Sequence, residues 1–268
     1  MVTVPFFAED GHGHPVQGIT ASDLSILDNK EPPQSVVEVR SAKDLPLRIG
    51  LLIDSSGSQG RTKLFRPAVQ AASDLLYEVL NRADDKVFVA TFTEEVSVSP
   101  FMTRDQYANY KEGMRTQGGT ALYDAVVLAC KRMDADVHEP ARRVLVIVSD
   151  GEDDASGSNR NQAIAAAQES GTVILAVSTA ETGHVRVGEE TLQQLADGTG
   201  GSAFIGLSPK DIPKVFSAIQ ERIEAMYAAT YVPSSSSPGK YRSLELKPAR
   251  DKELKLHAPK GYYPPRAR

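Results

Sequence analysis

Three short stretches of the chain carry residues that could do chemistry together. "DSSGS" closes an apolar run and supplies Asp54, Ser56 and Ser58; "GGT" supplies Thr120 behind two glycines; "SDG" supplies Asp150 after a second apolar run. Two carboxylates and three hydroxyls make a set of hard oxygen donors. Magnesium and manganese take about six such oxygens and keep water where a protein leaves gaps. The set holds no thiolate or imidazole, which argues against zinc or copper. The hydroxyls are uncharged, so an ion held by them is only partly neutralised and would accept a carboxylate from outside.

Other chemistries fare worse. Neither Ser56 nor Ser58 sits in a G-x-S-x-G elbow or has an obvious base, so neither reads as a nucleophile. No phosphate-binding loop is present, and Ser56 stands where a second motif aspartate would be needed for phosphoryl transfer. No catalytic residue is assigned, and turnover of generic esters or phosphates is expected to be absent. "GTGGSA" at 198–203 imitates a dinucleotide fingerprint, but it follows a helix and precedes a strand, the order of a glycine helix stop. His12 and His14 in "HGH" lie in a glycine-rich turn without a third ligand, and His138, His184 and His257 are scattered. "GEDDASG" after Asp150 reads as an exposed acidic loop rather than a second cation site. The plain alternative for the first stretch is a serine-rich turn capping the helix that follows.

The elements that must position the three stretches alternate strand and helix. The runs 47–53, 86–92, 143–149 and 173–177 are short and almost continuously apolar, as strands buried on both faces are. Helical patterns occupy about 61–81, 121–134, 159–169, 190–197 and 209–228. In the last of these, Ile212, Val215, Phe216, Ile219, Ile223 and Met226 form one stripe. This alternation predicts a mostly parallel, doubly wound α/β sheet, with "EEVSVSPF" as an antiparallel edge. Asp54 and Asp150 then fall at the carboxyl ends of strands, where open sheets bind ligands. The flanks 1–45 and 229–268 read as β structure with period-2 alternation. Each is too small to fold alone, so they are expected to pair into a small β-sandwich-like domain around an inserted domain at 46–228.

Composition sets wide bounds. The chain has 268 residues, 41% hydrophobic and 24% charged, enough for a sizeable core. A net charge of −5 argues against a general grip on nucleic acid. No apolar run approaches the roughly 18 residues of a membrane span. The single cysteine, Cys130, excludes an internal disulfide and reads as a small buried hydrophobe. "MVTVPFF" lacks the basic and apolar regions of a signal peptide, which is either absent or removed.

The loops, taken in order, resemble the von Willebrand factor type A domain: "DSSGS" is its D-x-S-x-S, and "GGT" and "SDG" match its two later metal-site loops. The resemblance covers 46–228. It implies a metal-ion-dependent adhesion site holding Mg²⁺, or else Mn²⁺ or Ca²⁺. Ser56 and Ser58 would bind the ion directly, Thr120 directly or through water, and Asp54 and Asp150 largely through water and hydrogen bonds. Family members often carry Met after the last serine; here it is Gln59, a departure expected not to touch a ligand. With its flanks the chain is similar to bacterial members that are usually exported. The implied function is non-enzymatic capture of a protein partner presenting Asp or Glu. The alternative is a structural or assembly subunit of the cell envelope whose metal only stabilises loops. Oligomeric state is left open.

Overall fold

The structure is a computed structural model that describes residues 1–110, 116–136, 140–180, 186–235, 238–251 and 253–264. Its centre is a six-stranded sheet. In chain order the central elements are β4 (Leu47–Asp54), α1 (Phe65–Val79), β5 (Lys86–Phe92), β6 (Val96–Val98), α2 (Arg104–Ala108), α3 (Leu122–Asp136), β7 (Arg142–Ser149), α4 (Arg160–Glu169), β8 (Val173–Ser178), α5 (Arg186–Thr199), β9 (Ser202–Phe204) and α6 (Ile212–Glu224). Preceding them are β1 (Val2–Glu9), β2 (Leu24–Asp28) and β3 (Ser35–Ser41), and following them β10 (Tyr227–Val232), β11 (Arg242–Pro248), β12 (Lys255–His257) and β13 (Gly261–Tyr262).

The sheet runs β6-β5-β4-β7-β8-β9, parallel except for the edge strand β6. Every residue of β4 is buried, and its alternate side chains serve opposite faces. Leu47, Ile49, Leu51 and Ile53 meet α1 and α6 through Leu76 and Ile219. Leu52 joins Phe88, Leu145 and Ile147 against Val126 of α3 and Leu195 of α5. Helices therefore cover both faces, which is the doubly wound architecture the apolar runs predict. The chain passes from β4 to β5 on one side and then crosses to β7 on the other, so the switch point lies between β4 and β7.

The flanks build two antiparallel sheets, β12-β1-β10-β3 and β13-β11-β2. Phe6, Ala229 and Tyr231 from one meet Ile26, Leu244 and Leu246 from the other in a core of their own. Inside it, Arg242 Nε donates to Asp28 Oδ1 at 2.7 Å, and the Tyr262 hydroxyl donates to Asp28 Oδ2 at 2.8 Å. After β2 the chain turns at Asn29 and Lys30, at φ 54° and 70°. Beyond the single bridge Asp28–Glu31, however, β2 and β3 part into different sheets.

Several helix boundaries differ from expectation, among them α5, which begins at Arg186 rather than 190. Helix α6 stops at Glu224, and Met226 is buried beyond it because Tyr227 already pairs with Phe6 and Ser41 in β10. Helix α1 starts at Phe65 rather than 61, since Ser58 and Arg61 are joined by a turn, Arg61 N donating to Ser58 O. At the expected glycine stop, α5 ends at Thr199 and Gly200 takes φ +76°. A Cβ there would sit 2.4 Å from the Ala258 carbonyl carbon, so the stop also seats a flank strand connection. His138 and His184 lie outside the described residues. Cys130 is fully buried, and burial pushes its thiol up to about 12.

Candidate functional site: an oxygen cluster at the switch point

Asp54 is the last residue of β4, Ser149 is the last of β7 and Asp150 follows it, and these two strands flank the switch point. The structure brings four of the five expected residues into one hydrogen-bonded group. Ser56 and Ser58 share a hydrogen bond of 3.0 Å between their hydroxyls, and Ser58 Oγ donates to Asp150 Oδ2 at 2.6 Å. Asp54 Oδ1 accepts from Ser56 N at 2.9 Å. Asp54 and Ser56 are buried, while Ser58 and Gly57 keep partial exposure, so the cluster opens to solvent on one side.

Thr120, buried, arrives through its loop rather than through a side-chain bond. Gly57 N donates to Gly118 O at 3.1 Å, tying the second loop to the first. Thr120 N donates to Asp154 Oδ1 at 2.7 Å, and Thr120 O accepts from Asp154 N and Ala155 N, tying it to the third. Gly151 makes the third turn possible: it sits at φ +83°, and a Cβ would lie 2.1 Å from Gly188 O.

The serine-cap alternative for the first loop fails. Helix α1 begins after Leu64 with no side-chain cap, and the serine hydroxyls face Asp150 and each other. The acidic loop is also accounted for. Asp153 Oδ1 accepts from Tyr123 N and Ser156 Oγ, Asp154 from Thr120 N, and Glu94 Oε1 from Gly119 N. These acids clamp backbone at the start of α3. Among the described residues, no three His, Cys, Asp or Glu side chains form a metal-holding group, so any ion must rely on hydroxyls.

Three residues belong to the site that the sequence reading did not assign to it. Ser149 Oγ donates to Asp54 Oδ2 at 2.6 Å and accepts from Gly151 N. Gln59 was expected not to touch a ligand, and the structure corrects this. Its Nε2 donates to Asp54 Oδ2 at 3.2 Å and to Ser58 Oγ at 3.3 Å, while Oε1 accepts from the buried Thr179 hydroxyl at 2.7 Å. The signal was present in part, since a polar residue at a buried strand end or inside an apolar turn needs partners. Thr179 gave none, being 120 residues from Gln59.

Electrostatically the cluster is unbalanced. Burial raises the Asp54 carboxyl to about 6, and the negative charge of Asp150 adds to the rise. Hydrogen bonds from Ser149 and Ser56 pull the other way without cancelling it. No lysine, arginine or histidine pairs with Asp54 or Asp150 among the described residues.

A doubly wound domain with three oxygen-bearing loops gathered at its switch point defines a class of ligand-binding α/β domains. Within that class the assignment is specific: the sequence profile of the von Willebrand factor type A domain matches residues 49–218, and the chain belongs to that family. Solved structures agree on the fold. A von Willebrand factor type A protein from Catenulispora acidiphila superposes with a TM-score of 0.56 at 13% identity, covering 93% of this chain and 75% of its own. The PilB minor pilin from Streptococcus sanguinis gives 0.51 at 13% identity, covering 73% of this chain and 63% of the pilin. The pilus adhesin SpaC from Lactobacillus rhamnosus GG gives 0.50 at 12% identity, covering 79% of this chain and 35% of the adhesin. No curated protein matches the chain.

Proposed function

We propose that the chain is a non-enzymatic protein-binding module that works through a divalent cation, Mg²⁺ first, held by Asp54, Ser56, Ser58, Thr120 and Asp150. The single observation that carries this reading is the imbalance of the cluster. Two acids and a chain of hydroxyls meet at a solvent-open point, with Asp54 held fully buried and no protein cation opposite it. Leaving a carboxylate desolvated and unpaired is costly, and a hard cation removes the cost.

The spacing supports the same ion. Ser56 Oγ, Ser58 Oγ and Asp150 Oδ2 stand 3.0 and 2.6 Å apart in sequence. Adjacent oxygens of an octahedron with bonds of about 2.0–2.1 Å lie about 3.0 Å apart. When bound, the ion would supply an electrophilic position for a partner's Asp or Glu. The chain's own residues hold the site ready. Ser149 and Gln59 fix the Asp54 carboxyl, and Asp154 and Glu94 fix the loop that carries Thr120.

A role in protein interaction or adhesion is what the family suggests, and a minor pilin and a pilus adhesin share the fold. We place the chain's action outside the cell on the same ground. No helix among the described residues is long and apolar enough to cross a membrane. Calorimetric titration of Mg²⁺ into wild type and Asp54→Ala tests the reading. Wild type should bind saturably and release the ion to EDTA, and the variant should show negligible heat. Equal, negligible binding to both would remove the cation from the account.

A further inference from the structure

A cavity of about 600 Å³ adjoins the oxygen cluster, and nothing in the metal site uses it. The two share a wall, because Gln59, whose amide bonds Asp54 and Ser58, also lines the cavity. Lys63, Arg66, Thr62 and Thr116 line it too, over the apolar ring of Phe65. Lys63 and Arg66 are its ionisable lining residues, and no acid lines it among the described residues. Both are exposed, and neither makes an ion pair among the described residues. Helix α1 begins here without a side-chain cap, so its positive end adds to the field.

The other side of the cluster has the opposite sign. Glu94, Glu152 and Asp154 are exposed there, around the loops that lead into α3. The rim of the site is therefore polarised, positive toward α1 and negative toward α3. An acidic segment approaching the cluster is repelled on one side and drawn in on the other.

We propose that the cavity receives a second acidic side chain of the same partner segment whose first acid enters the oxygen cluster. The partner is thus a protein segment with two nearby acids, lying across the cluster with its second acid on the Lys63 and Arg66 side. This deepens the metal-dependent reading and rests on it. The exposed Thr116 hydroxyl can donate to that second carboxylate, and Lys63 and Arg66 neutralise it. The polarity of the rim sets the direction in which the segment lies.

Selection of random peptides displayed on phage against the full chain tests this, with parallel arms in Mg²⁺ and in EDTA. Wild type in Mg²⁺ should enrich peptides carrying a second acid at a fixed spacing from the first. A synthetic peptide of the enriched sequence should bind the double variant Lys63→Glu/Arg66→Glu about tenfold more weakly at low salt. Its affinity for wild type should fall as salt rises, with little change for the variant. Mg²⁺ affinity, measured without peptide, should change by less than about twofold, because neither residue belongs to the oxygen cluster. Enrichment of single-acid peptides, failure to enrich any, or unchanged affinity after charge reversal would overturn the cavity assignment while leaving Mg²⁺ binding intact. Peptide binding that survives EDTA would overturn the metal-dependent reading and this inference with it.

Discussion

Asp28 and Asp54 have no solvent exposure, and they are built in opposite ways. Asp28, in the flanking sandwich, is fully compensated: Arg242 donates to one oxygen and the Tyr262 hydroxyl to the other. Asp54, at the switch point, receives only neutral donors from Ser149, Gln59 and the Ser56 amide, and the nearest charge acting on it is another acid. The same residue type at the same depth is closed in one place and left wanting a cation in the other. Burial of a charge is a structural feature when its partner is covalently part of the chain. It becomes a binding feature when the partner has to come from solution.

Breaking the closed case should give the largest effect. Arg242→Met leaves Asp28 buried without its cation and is expected to cost about 3–5 kcal/mol in chemical denaturation. Asp28→Leu/Arg242→Met removes both charges and should recover at least about half of that loss. A single variant as stable as wild type would mean that the pair does not offset the burial of Asp28, and the contrast with Asp54 would lose its first term.

The open case predicts the reverse sign. The Asp54 carboxyl is raised from 3.8 to about 6 in the folded chain. The folded state therefore holds a proton that the unfolded state releases. Well below pH 3.8 both states are protonated and the group costs nothing; the cost accumulates as pH rises through 3.8 toward 6 and is constant above that. In EDTA, wild type should lose about 2–3 kcal/mol of stability between pH 4 and pH 7 relative to Asp54→Asn, whose carboxamide stays neutral. Magnesium should abolish the difference or invert it. Parallel pH profiles of the two proteins in EDTA would show that Asp54 is compensated after all.

Much of this contrast is legible in the sequence, but unevenly. The four central strands announce themselves because a strand buried on both faces must be apolar throughout, as β4 is from Leu47 to Ile53. Asp54, Ser56, Ser58 and Asp150 were legible because polar residues at the end of such a run need a reason. Asp28 and Arg242 were not. They lie 214 residues apart, and no local pattern marks an exposed-looking charge as half of a buried pair. The stripe ending in Met226 misplaced the end of α6, since an apolar residue leading into a buried strand continues a helical period by coincidence. Strand β13 and helix α2, of two and five residues, are too short for any periodicity to register.

Gln59 offers the finest test, because it stands to Asp54 roughly where Arg242 stands to Asp28, with a neutral amide in place of a guanidinium. Gln59→Met deletes two donors to the cluster and leaves the buried Thr179 hydroxyl without its acceptor. The expected cost in EDTA is about 1–2 kcal/mol. If Gln59 acts by holding Asp54 and the first loop in place through Thr179, the loss persists when Mg²⁺ is saturating, because the cation does not reach Thr179. If the amide is only a weak substitute for the missing positive charge, saturating Mg²⁺ erases the loss. We expect persistence: the Thr179 bond, at 2.7 Å, is the shortest the Gln59 side chain makes, and it points away from the cluster toward the end of β8.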